Sequence, residues 1–180
     1  MIQTASDDWI DVPAAAVPAL DTYQPPSAVT AVFRRWHNPG TQGHPVFTTK
    51  SSVGNVQLGA ALRLTTTAGG TDIAAFVGDG VNSDGTNATT DTAFGERSVA
   101  TMRVGNVSPF VSARSNAGVT ATDSARATTG TTSTAGAGRI GAFLAGVGPI
   151  DMEFEALATY RRDPGAGIHD QLVAGYNGGA

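Results

Sequence analysis

The 180-residue chain has no cysteine, which excludes disulfides, zinc–thiolate sites and a thiol nucleophile. Lysine is nearly missing too: Lys50 stands alone, and the other basic residues are arginines. The formal net charge is -4 and the isoelectric point about 5.2. No basic footprint of a nucleic-acid binder is present. Aromatic residues make up only 7%, so a core must lean on Val, Ala, Ile and Leu around a few large anchors such as Phe33, Phe47 and Phe154. No apolar run approaches the ~20 residues of a membrane-spanning helix. The opening Met1-Ile2-Gln3-Thr4 lacks the charged and apolar regions of a signal peptide, so the expectation is a soluble chain made in the cytoplasm.

What is present is strand periodicity. Along residues 151–162, Met152, Phe154, Ala156, Ala158 and Tyr160 alternate with Glu153, Glu155, Leu157, Thr159 and Arg161. A period of two predicts a long strand with the first set in a core. Shorter strands are expected near Trp9–Val12 and over residues 28–36, 45–49, 56–64, 72–77 and 97–104. Gly105-Asn106 reads as a hairpin turn into a strand over 108–114. Residues 78–92 read as a polar loop, and 115–138 as a low-complexity loop or thin strand. One or two helical turns are expected over 168–174. Many short strands with closely spaced turn signals imply an all-β sandwich forming one domain over 1–180, with 1–8 as a candidate N-terminal arm.

Three constellations invite chemistry. Asp151, Glu153 and Glu155 alternate on a strand and so project from one face, and a retaining glycosidase needs two carboxyls about 5–5.5 Å apart; a solvated face opposite Met152 and Phe154 explains them as well. Asp79, Asn82 and Asp84 fall near the spacing of a calcium loop, but no Glu closes it, and a turn-rich loop also fits. Gly136 to Gly141 matches G-x-G-x-x-G without the buried strand and helix of a dinucleotide site. The three histidines, His37, His44 and His169, lack metal-ligand spacing. No G-x-S-x-G nucleophile motif is present either.

The segments RIGAFL (139–144), GPIDMEFEALATYRR (148–162) and GIHDQLVAGYN (167–177) resemble the close of the laminin-G-like, concanavalin A-like jelly-roll family. DWIDVPAAAVPALDTYQPPSAVTAVFRRW (8–36) resembles its opening. The resemblance implies a concanavalin A-like jelly-roll β-sandwich with a short C-terminal helical segment. Some hydrolases of this broad fold carry Glu-x-Asp-x-Glu on a strand; here the order is Asp-x-Glu-x-Glu, near the end of the chain. The functional expectation is therefore a non-enzymatic structural or adhesion protein of a bacteriophage particle, a minor tail or capsid surface protein. Its partners would be other virion proteins, with a host-surface glycan as ligand. The alternatives are a free carbohydrate-binding module or a glycoside hydrolase. No cofactor is expected beyond calcium at Asp79, Asn82 and Asp84. The residues expected to meet a glycan or partner are Trp36, His37, Arg34, Tyr23 and Trp9, because exposed aromatics stack sugars.

Overall fold

The computed structural model describes residues 2–4, 9–36, 43–52, 54–67, 70–88, 95–115, 119–134, 136–146, 149–165 and 167–177. Its strands are β1 (Ile2–Thr4), β2 (Ile10–Val12), β3 (Ser27–Arg35), β4 (His44–Thr48), β5 (Gly59–Thr67) and β6 (Gly70–Gly78). They continue with β7 (Ser83–Ala88), β8 (Arg97–Val104), β9 (Val111–Ser115), β10 (Thr120–Asp123), β11 (Gly138–Ile140) and β12 (Met152–Tyr160). A helix, α1 (Gly167–Asn177), follows. One six-stranded sheet runs β1-β12-β3-β8-β9-β10, the other β2-β11-β4-β5-β6-β7. Every pairing is antiparallel. The protein is an all-β, two-sheet jelly-roll sandwich with one short C-terminal helix.

The core lies between the sheets. Val29, Ala31 and Phe33 of β3 and Met102 and Val104 of β8 face Phe47, Leu62, Leu64 and Ile73 of the other sheet. Alternation along each strand puts every second residue inside. The outer face of the second sheet is covered as well. Ala61 and Ala74, which alternate with core residues, are fully buried, and so is Phe143.

The long C-terminal strand departs from strict alternation. A bulge falls between Phe154 and Ala156, so Glu155 has no partner on β3. The bulge reverses the faces. Beyond it Leu157 opposes Ala31 and Thr159 opposes Val29, and Leu157 packs on the core. Ala156, Ala158 and Tyr160, expected inside, stand on the outer face instead.

Other expectations are corrected at the edges. Residues 83–88, read as loop, form edge strand β7 against β6. The two-residue turn at Gly105-Asn106 is replaced by a longer connection, residues 105–110, closed by the Gly105 N–H on the Phe110 carbonyl at 3.0 Å. Pro109 has no N–H to give a ladder. Of the candidate arm, Ile2–Thr4 is an added strand paired with Met152, Glu153 and Phe154 of β12.

Candidate functional site

The antiparallel order brings the connections that follow β2, β4, β6, β8 and β10 to one end of the sandwich. The low-complexity segment after β10 is a strap, residues 124–134, held by a succession of aspartates. Asp123 accepts the Ala125 N–H at 3.1 Å with one oxygen and the Gly85 N–H at 2.8 Å with the other. Asp84 accepts the N–H groups of Ala127 and Thr128 and the Thr128 hydroxyl at 2.6 Å. Asp79 takes the N–H groups of Thr129 and Gly130 at 2.7 and 2.9 Å. Asp21 takes the hydroxyls of Thr131 at 2.6 Å and Thr132 at 3.3 Å. Backbone amides that no sheet satisfies are thus paired with carboxylates.

These contacts set the electrostatics. N–H groups of Asn82, Gly130, Val81 and Thr129 hold the Asp79 carboxyl well below the usual carboxylate range. For Asp21, burial pushes the carboxyl up. The Thr131 hydroxyl, the Tyr23 N–H and the contacts with Thr132 outweigh it and leave the group lowered. Both are anions at neutral pH.

Tyr23 stands beside this strap. Its hydroxyl donates to the Thr128 carbonyl at 2.8 Å, and its N–H to Asp21 Oδ1 at 2.9 Å. The Arg126 guanidinium lies 4.4 Å from the Tyr23 ring centroid and 4.3 Å from that of Phe110. Arg126 also donates to the carbonyls of Thr22 and Asn106. The ring is therefore fixed at its tip and braced by a cation, yet stays 42% exposed. It forms one wall of a shallow depression of about 350 Å³, shared with Asp21, Gln24, Thr129, Gly130 and Thr131.

The remaining expected site residues scatter. Tyr23 precedes β3 and Trp36 follows it, so a nine-residue strand, roughly 30 Å at the usual rise, separates them. Trp36 is 44% exposed. Trp9, 40% exposed, lies at the start of β2 with the Arg139 guanidinium 4.5 Å from its ring. Arg34 is engaged: its Nε lies 3.2 Å from Glu155 and 4.0 Å from Glu153. His37 lies outside the described residues.

The residues expected to hold calcium have protein partners. A hard cation needs carboxylate oxygens turned toward it; Asp79 turns one oxygen to the Val81 and Asn82 N–H groups and the other to the strap, and Asp84 turns both to the strap. Asn82 joins Asp79 through its backbone, accepting the Asp79 N–H at 3.1 Å. Among the described residues no cluster of three or more His, Asp or Glu side chains could hold a metal. The carboxylates on β12 are likewise committed, since Glu155 is gripped by Arg34 and by Arg97 at 2.9 Å.

No protein-family model matches the chain, and no curated protein sequence matches it. Solved structures do match in shape. Domains LG4-5 of the mouse laminin alpha1 chain superpose with a TM-score of 0.65 at 8% identity, over 89% of this chain and 41% of that one. The CBM40 of the Ruminococcus gnavus IT-sialidase gives 0.64 at 13% identity, over 97% and 93%. A GH54 α-L-arabinofuranosidase gives 0.65 at 14% identity, over 96% and 40%. The chain thus spans about two fifths of the laminin and arabinofuranosidase structures. Proteins of unlike activity share the architecture, and the identities are low, so the likeness is one of fold. That fold is the concanavalin A-like jelly-roll β-sandwich.

Proposed function

We propose that this chain is a non-catalytic carbohydrate-binding domain that stacks a sugar ring on Tyr23. The observation that carries the reading is the pinned, half-exposed Tyr23 ring beside a polar depression. A sugar presents an apolar C–H face and a rim of hydroxyls. Tyr23 offers the flat apolar surface, and Gln24, Thr129 and Thr131 offer donors and acceptors. Because the strap is held at four successive aspartates, little is lost in ordering it on binding. The sandwich neighbours include a carbohydrate-binding module, which supports the same reading.

The non-catalytic part rests on β12. A glycosidase needs one carboxyl free to donate a proton and another free to attack or activate water. Glu155 lies between two guanidiniums, and Glu153 shares Arg34 with it, so neither carboxyl faces an open cleft alone.

Glycan-array binding followed by calorimetry on wild type and Y23A tests the proposal. We expect Y23A to weaken binding at least about tenfold, ~1.4 kcal/mol, at unchanged fold. Equal affinity in Y23A, or no glycan bound by wild type, overturns it. Polysaccharide cleavage by wild type that disappears in E153Q/E155Q overturns the non-catalytic part. Display on a phage particle rests on the sequence resemblance alone. Mass spectrometry of purified particles tests that placement, with a host-surface glycan as the ligand it implies.

A further inference from the structure

A second cleft, sharing no lining residue with the Tyr23 depression, lies on the outer face of the β12-β3-β8-β9-β10 sheet. The C-terminal segment crosses this face and is tied down there. Asp163 meets Arg103 at 2.6 Å, and Asp170 meets Arg114. His169 is buried, with Nδ1 2.7 Å from the Thr101 hydroxyl and Nε2 donating to the Ser115 carbonyl at 2.9 Å. Between this segment and β8–β10 a space of about 190 Å³ remains.

Strand register orders its floor. Arg103, Ser112 and Thr122 stand abreast on β8, β9 and β10, and Thr101, Arg114 and Thr120 form the adjacent row. Pro109, Pro164 and Ile168 give the walls an apolar part.

Three features set the ligand chemistry. First, Arg103 lines the cleft with only one guanidinium nitrogen on Asp163, and a guanidinium has further N–H groups to give a ligand oxygen. Second, charge is balanced: each arginine has its aspartate, so no net positive field draws an anion. The exposed hydroxyls of Thr120 and Thr122, with Ser112 beside them, can both donate and accept. Third, the space is below the ~300 Å³ of the smallest pockets for drug-sized ligands, so one small ring fits and a chain does not.

We propose that this cleft binds a single neutral sugar residue, with its hydroxyls on the Arg103–Ser112–Thr122 row and its C–H face on Pro109, Pro164 and Ile168. The choice of a sugar rests on the carbohydrate-binding reading above; the site itself does not depend on Tyr23. A domain with two such sites engages a branched or repeated glycan bivalently, and avidity then exceeds either affinity.

Amide NMR titration of the full chain with glucose, galactose and N-acetylglucosamine tests this, with inorganic sulfate as a separate probe. Wild type, Y23A and T122W are compared; Trp at the exposed position 122 fills the cleft. We expect the amides of Ser112, Thr122 and Gly165 to shift with at least one sugar and to saturate in the millimolar range. The shifts should persist in Y23A and weaken at least about tenfold in T122W. Shifts near Thr129–Thr131 alone overturn the second site and leave the Tyr23 reading standing. Shifts at the cleft alone do the reverse. A response to sulfate but to no sugar overturns the neutral-sugar assignment, and a cleft response that vanishes in Y23A overturns its independence.

Discussion

Asp84 and Thr128 are joined by a 2.6 Å hydrogen bond from hydroxyl to carboxylate, and through it an edge strand holds a strap far along the chain. Asp84 is fully buried. Its oxygens also take the N–H groups of Ala127 and Thr128. In D84N one oxygen becomes an NH₂ that faces donors instead of accepting from them. We expect D84N to lose about 1–3 kcal/mol in urea denaturation. Amide exchange should quicken most at residues 127–130. Uniform quickening across both sheets would mean that Asp84 supports the whole sandwich rather than the strap.

Leu157 tests the bulge. Strict alternation makes Leu157 a surface residue and Ala158 a core one; the register reverses them. We expect L157A to cost about 2 kcal/mol, the low end for a Leu truncated at a core margin. A158S should stay within about 0.5 kcal/mol. The opposite ranking in denaturant midpoints would restore unbroken alternation.

That strand shows what the sequence could and could not reveal. A period of two identified β12 as a strand, because side chains must alternate across a pleat. It could not reveal a one-residue bulge, since Glu155 looks like any other outward carboxylate. β7 is hidden for a related reason: Ser83–Ala88 is polar apart from Gly85 and Ala88, and its pairing is imposed by β6 rather than by its own propensity. At the site, Tyr23 was legible as a candidate aromatic, but its surroundings were not. Asp79 and Asp84 stood out as acidic residues in a loop, which suggests a cation. Asp79 turns one oxygen to the local amides of Val81 and Asn82, but its other oxygen and Asp84 bond groups some 40–50 residues later in the chain, and no local pattern encodes those. The one available hint was the abundance of Thr and Asp, whose short side chains bond to nearby backbone.

Gly85 tests the packing on the outer face of the second sheet. A Cβ built there would lie 2.1 Å from Cδ1 of Phe76, and the Phe76 ring in turn carries the Arg63 guanidinium at 4.0 Å. We expect G85A to displace the ring and lose about 1–3 kcal/mol, as overpacking does. Placed in an F76A background, the same change should cost much less, because nothing remains to be displaced. Thermal unfolding of the two single variants and the double variant measures the coupling. Additive losses would mean that the backbone at Gly85, not the ring, resists the methyl group.

Lys50 gives the stability a pH dependence. The only lysine of the chain is buried, and its Nζ donates to the carbonyls of Gly54 at 3.2 Å and of Asn55. Burial, with the nearby Arg63 guanidinium adding to it, lowers its pKa to about 7. Unfolded, the amine titrates near ~10.4. Between these values the unfolded chain holds a proton that the folded chain releases, so stability rises with pH across the window. Below pH 7 both states hold the proton, so the loss is complete there and the folded amine carries its charge in a buried site. The slope is at most ~1.4 kcal/mol per pH unit. Methionine matches the lysine stem in bulk and carries no charge. We expect K50M to be less stable than wild type at pH 9.5, where two carbonyls have lost their donor. By pH 6 the gap should close or reverse, because the wild type alone bears the cost of the buried ammonium. Urea denaturation of both proteins at pH 6, 7.5 and 9.5 gives the comparison, and a constant difference across the three would show that Lys50 stays charged in the folded chain.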